Sequence, residues 1–155
     1  MPRCRMLGIG LTALALLALR AEAAVAQQPT AAPPQVAVLP LEVGPGASAR
    51  LRRLADSCGA RLLEHLRATK LRVVPVQTSL EKLRAAGVPP FAVQGTVAEK
   101  DGEITAELRL VAVPTLEEQR AYAYSGAEAE GVCRLAAAAA PRIAAVIREA
   151  EGAAN

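Results

Sequence analysis

The chain has 155 residues, 52% of them hydrophobic, which is enough to bury the core of one domain. Its 18 basic and 15 acidic residues leave a net charge of +3 without a basic tract outside the N-terminus, which argues against a nucleic-acid binder. Aromatic residues make up only 2% and Trp is absent, so stacking platforms for bases or sugars are not expected either.

The N-terminus reads as a cleavable secretory signal peptide over residues 1–26. Arg3 and Arg5 precede an apolar stretch from Leu7 to Leu19, broken only by Gly8, Gly10 and Thr12. Arg20 and Glu22 close that stretch, and Ala24-Val25-Ala26 offers small residues where a signal peptidase reads them. The apolar run is short of the roughly 20 residues a membrane-spanning helix needs, so no stable span is expected after cleavage. Cys4 lies ahead of the run and not at its end, and so cannot become a lipid-modified first residue. Cleavage after Ala26 removes Arg3, Arg5, Arg20 and Glu22, leaving 129 of the 155 residues with 15 basic against 14 acidic, a net charge of +1. The apparent basic character therefore belongs to the leader. A periplasmic location is expected, with secretion as the alternative.

Cys58 and Cys133 remain in the processed chain. An even count in an oxidising compartment favours one disulfide, and two separate buried thiols are the alternative.

Residues 27–34 are polar and contain Pro and Ala, which predicts a flexible lead-in to a domain over 35–151. Val36 to Leu41 is continuously apolar, as expected of a strand covered on both faces, and Val43 to Ser48 reads as a loop. From Ala49 the period changes: Leu51, Leu54, Ala55, Cys58, Leu62 and Leu66 form one stripe of an amphipathic helix of about five turns. Leu71 to Val76 reads as a second strand. Thr78 with Glu81 reads as a capping box opening a short helix that ends at Ala86, before Gly87 and Pro89-Pro90.

Phe91–Glu99 and Glu103–Val113 flank Asp101-Gly102, a strong hairpin signal. The turn sets a register in which Phe91 faces Ala112, Val93 faces Leu110, Gly95 faces Leu108 and Val97 faces Ala106. The alternate residues pair Gln94 with Arg109, Thr96 with Glu107 and Ala98 with Thr105. One side is apolar and the other mostly polar, so helices are expected on one side only, with water or a partner on the other. Pro114 to Gln119 is expected to turn the chain, and Arg120 to Tyr124 to add a third antiparallel strand. A second long helix is predicted over Glu128–Glu151, with Leu135, Ala138, Ala139, Ile143, Val146 and Ile147 on its apolar face and a kink or break at Pro141.

The segments Val36-Ala-Val-Leu-Pro-Leu41, Leu71-Arg-Val-Val-Pro-Val76 and Phe91-Ala-Val-Gln-Gly-Thr-Val97, with the Asp101-Gly102 hairpin and the Ala-rich terminal helix, resemble the TolB N-terminal-like family. The resemblance spans about Val36 to Ile147. It implies a single α/β (α+β) domain with a mixed sheet of about five strands, one short helix, and two long helices packed on one face. Neighbouring first and last helices would in turn bring Cys58 and Cys133 within bonding reach. Relatives act in the bacterial envelope as interaction modules of the Tol machinery, the curli exporter and lipoprotein activators of peptidoglycan synthases. This chain departs from several of them, having no lipidation cysteine, no propeller and no long pore-forming insertions.

Catalytic chemistry finds little support. His65 is the sole histidine, placed beside Glu64 on the flank of the first helix, and fits no common zinc spacing with the distant cysteines. Ser57 has no histidine–acid pair to activate it. Gly44-Pro45-Gly46 lacks the lysine and the longer glycine pattern of a phosphate loop and reads as a turn. Glu117-Glu118 and Glu128 with Glu130 read as solvated charges. The expected function is a non-catalytic interaction or scaffold module of the cell envelope, with no catalytic, metal or cofactor site and with an envelope protein as partner. Its candidate surface is the polar sheet face carrying Gln94, Thr96, Thr105, Glu107 and Arg109, or an exposed edge strand. A small-ligand carrier is the alternative and a small hydrolase a more distant one.

Overall fold

The computed structural model describes residues 32–154. The signal peptide over 1–26 and most of the lead-in lie outside the described residues. No helix among the described residues is long and apolar enough to cross a membrane.

The elements follow in the order β1 (Gln35–Val38), β2 (Glu42–Val43), α1 (Ala49–Ala68), β3 (Arg72–Pro75), α2 (Leu80–Ala86), β4 (Phe91–Lys100), β5 (Glu103–Ala112), β6 (Glu117–Gly126), α3 (Ala129–Ala137) and α4 (Ala140–Ala154). The strands form one mixed sheet in the order β3-β1-β4-β5-β6, with β2 also paired to β4. β1 runs parallel to β3 and β4, while β4, β5 and β6 are successively antiparallel. The β4–β5 register is the one the Asp101-Gly102 turn predicts, from Phe91 opposite Ala112 to Ala98 opposite Thr105. Both turn residues have positive φ, 55° and 81°, as a two-residue hairpin of this hand requires.

α1 starts where Ser48 accepts a hydrogen bond from the Leu51 amide at 3.1 Å. Leu51, Ala55, Cys58, Leu62 and Leu66 recur at three- and four-residue steps and are buried on one face. His65 and Arg67 in the last turn complement the helix dipole, and the Arg148 guanidinium of α4 donates to the Thr69 carbonyl at that end. The α1 stripe, α3 and α4 pack with the strands into the main core, which gathers Val36, Val93, Val97, Leu108, Leu110, Ile143 and Ile147.

Cys58 and Cys133 are joined as a disulfide, with Cα atoms 4.7 Å apart and both residues buried. Three residues away on each helix, Arg61 pairs with Glu130 at 2.8 Å. One partner number rises as the other falls, so α1 and α3 run antiparallel at this seam. A covalent link and an ion pair thus lie one turn apart. The guanidinium beside Glu130 holds that carboxyl below its ordinary value, by hydrogen bonding first and by charge second.

Several expectations are corrected. The hairpin is not bare on its outer side throughout: α2 lies there at its base, where Leu80 and Leu83 meet Ala92 and Val113 in a second, smaller cluster with Ala37 and Leu39, which leaves β1 covered on both faces as its apolar run predicts. The cap of α2 is Ser79 and not Thr78, its side chain accepting from the Lys82 amide, and Gly87 at φ 71° ends the helix. The turn before β6 is tighter than expected, closing with Leu116 at φ 59°, so the strand begins at Glu117 and runs for 10 residues. As the proline predicts, the terminal helix is broken into α3 and α4 just ahead of Pro141, which sits in the first turn of α4, where its missing N–H leaves no intrahelical bond unmade. The buried face of α3 is Val132, Cys133, Ala136 and Ala137, in phase with Ala140, Ile143, Ala144 and Ile147 of α4, which leaves Leu135 49% exposed and Ala138 on the outside.

Candidate functional site

β4 alternates from Val93 to Ala98 and β5 from Ile104 to Leu110. Val93, Val97, Ala106, Leu108 and Leu110 turn toward α1, α3 and α4 and are buried. Gln94, Thr96, Thr105, Glu107 and Arg109 turn the other way and are exposed or half-buried. The structure thus places all five sequence-predicted residues on one side of the sheet. α2 covers that side only at the base of the hairpin, around Ala92 and Val113. From Gln94 onward none of the described residues covers it.

Two more residues belong to this face. β2 brings Glu42 opposite Thr96. The chain reaches that position through an offset: three residues separate Val38 from Glu42, against two between their partners Val93 and Thr96. This offset also carries Leu41 over Gly95 on the core side, where an added Cβ would stand 2.4 Å from the Glu107 carbonyl oxygen and 2.9 Å from Leu41 Cδ2. Glycine is required there by close approach. On the far side, a β-bulge between Leu110 and Val111 shifts the pairing from Arg120 to Glu118, leaving Gln119 as the extra residue of β6. Glu118 thereby reaches Arg109.

Arg109 sits between two carboxylates, 3.6 Å from Glu107 Oε2 and 3.6 Å from Glu118 Oε2. Glu42, Gln94, Gly95, Thr96, Glu107 and Arg109 line a shallow depression of about 220 Å³. A second depression of about 460 Å³ shares Glu42 and Gln94 and continues past Gln77, Thr78 and Ser79 to Glu81. The Glu81 carboxyl lies below its ordinary value because its own backbone amide and the Ser79 hydroxyl hydrogen-bond to it. The result is an open trough lined by amides, hydroxyls and carboxylates, with Arg109 as its cation. Glu42 and Glu118 were missed from sequence because the first follows a proline-interrupted strand and the second sits in an acidic pair typical of a loop.

The other candidates do not converge. His65 is exposed on α1, away from the open face. Gly44 and Gly46 form a turn in which the Ala47 amide donates to the Gly44 carbonyl at 3.1 Å. Among the described residues no group of three or more His, Cys, Asp or Glu side chains could hold a metal ion. On the helix side, the recess beside α1, lined by Leu39, Leu41, Ala55, Asp56, Leu63 and Val76, measures about 200 Å³. That is below the roughly 300 Å³ at which small-molecule pockets begin.

No family model matches the chain, and no curated protein matches it. Among solved structures, the fold is similar to the PelC dodecamer from Paraburkholderia phytofirmans, at 15% identity and a TM-score of 0.48 over 74% of this chain and 87% of that one. TolB from Acinetobacter baumannii is similar at 14% identity and a TM-score of 0.49, over 74% of this chain and 28% of that one. A lipoprotein from Neisseria meningitidis is similar at 18% identity and a TM-score of 0.49, over 72% of this chain and 97% of that one. Identity is too low in each for a residue-by-residue transfer of roles.

Proposed function

We propose that the protein is a non-catalytic interaction module of the bacterial cell envelope, docking a partner protein on the open half of its sheet. One observation carries this reading. Gln94, Thr96, Thr105, Glu107 and Arg109, with Glu42 and Glu118 added, form a broad polar surface left uncovered beside a fully packed one. Arg109 lies 3.6 Å from each of two carboxylates, and this alternation of charge across the face favours selection of a complementary partner surface. The envelope setting rests on the leader sequence and on the oxidised cysteine pair.

The test is crosslinking of the full chain in its native host, with identification of the proteins recovered. The same experiment is repeated with the charge-swapped chain Glu107→Arg/Arg109→Glu. Loss of one partner with the swap supports the reading, and equal recovery of every partner sinks this surface.

A further inference from the structure

The two edges of the sheet are unequal. β3, at one end, is four residues long, opens with Arg72 and closes with Pro75, which has no N–H to offer. Short length, charge and proline are all devices that discourage pairing with another strand. β6, at the other end, has 10 residues, each exposed or half-buried, and among the described residues pairs only with β5.

The protection of β6 is itself lopsided. Glu117, Glu118, Arg120 and the bulge at Gln119 all fall in its first part. Ala121-Tyr122-Ala123-Tyr124-Ser125-Gly126 carries no charge, no proline and no register shift. The two tyrosines of the chain both stand here, on the helix side of the sheet, half-buried against the main core. The open side of the same stretch carries only Ala121, Ala123 and Ser125. The result is an edge of small side chains with a row of outward backbone donors and acceptors that no strand among the described residues uses.

We propose that β6 pairs with β6 of a second copy, antiparallel and centred on Tyr122. In that register Tyr122 faces the partner's Tyr122, Arg120 faces the partner's Tyr124, and Ala121 faces the partner's Ala123. Arg120 is exposed and shares the helix side with the tyrosines, so its guanidinium meets an aromatic ring in place of a like charge. Glu118 falls opposite the partner's Gly126, so no two like charges are directly opposed. The occupant is therefore a second copy: the charge order of this strand suits its own reverse. The two-fold axis stands perpendicular to the sheet, which sets both open faces on one side of a continuous double-length sheet. The pairing goes beyond the docking reading and does not depend on it.

Sedimentation equilibrium of the processed wild-type chain across the micromolar range is expected to show a monomer–dimer equilibrium. Ala121→Lys/Ala123→Lys sets lysines against lysines twice across the axis, and is expected to raise the dimer dissociation constant about tenfold or more. Both positions are exposed, so circular dichroism should show an unchanged fold. Mixing this chain with Ala121→Glu/Ala123→Glu should restore pairing as a heterodimer. A wild-type chain that stays monomeric throughout the range overturns the proposal. So does a dimer that the lysine pair leaves intact. Neither result touches the partner-recovery experiment, which keeps Ala121 and Ala123 of β6 as they are and exchanges only Glu107 and Arg109 on β5.

Discussion

Leu108 and Glu107 are adjacent on one strand and belong to different worlds. Leu108 turns inward among Gly95, Leu41 and Tyr122 and is fully buried. Glu107 turns outward to the trough and pairs with Arg109. The same division runs along β4 and β5 beyond the hairpin base. One side of the sheet is fixed by volume and close approach. The other is constrained chiefly by charge and hydrogen-bonding pattern, and so can change its chemistry without disturbing the fold.

The sharpest test lies in the layer that covers the inner side. Replacing the disulfide, as Cys58→Ala/Cys133→Ala, releases a link across 75 residues of chain and is expected to remove about 3–4 kcal/mol of stability in urea unfolding. Next comes the alternation itself. Leu108→Ala should lose about 3 kcal/mol through the cavity it leaves, while Glu107→Ala should change stability by about 0.5 kcal/mol or less. Equal losses at the two positions would break the comparison. Gly95→Ala sharpens it from another direction. A single methyl group on the core side is expected to lower stability by about 1–3 kcal/mol, since the nearest obstacle is backbone and cannot rotate away.

The smallest effect is one of pH. The Glu130 carboxyl is depressed in the folded chain by Arg61, so its contribution is present at neutral pH. It is lost as pH falls through that depressed value, below the ordinary 4.5. Glu130→Gln should therefore flatten the acid side of the melting-temperature profile and leave the rest of it nearly parallel to wild type.

What the sequence discloses follows the range of the forces involved. The hairpin register was legible because a two-residue turn and a period of two fix it locally, and Asp101-Gly102 supplies both positive φ values. The five outward residues of the open face were legible for the same reason. The onset of β6 was not: Glu117, Glu118, Gln119 and Arg120 have weak strand preference, and pairing with β5 decides their conformation. Nor was the partial cover by α2, whose Leu80 and Leu83 find Ala92 and Val113 only once β4 has crossed back beside β1. Leu135 misled because the largest apolar side chain was taken to mark the face, whereas the smaller Val132, Cys133, Ala136 and Ala137 form it, in phase with Ala140 and Ile143. Glu42 and Glu118 reach the trough through an offset and a bulge, and single-residue irregularities of that kind leave no periodic trace.

The placement of the two tyrosines has a spectroscopic consequence. With Trp absent and both phenols on β6, the intrinsic near-ultraviolet signal of this protein comes largely from a single strand. Burial lifts the Tyr122 hydroxyl above its ordinary value, partly countered by Arg120, so an alkaline absorbance titration should resolve a delayed component from that ring. Tyrosine emission followed during unfolding would report when β6 leaves β5, while far-ultraviolet dichroism reports the helices. A gap between the two transitions would show the edge strand loosening before the helical layer does.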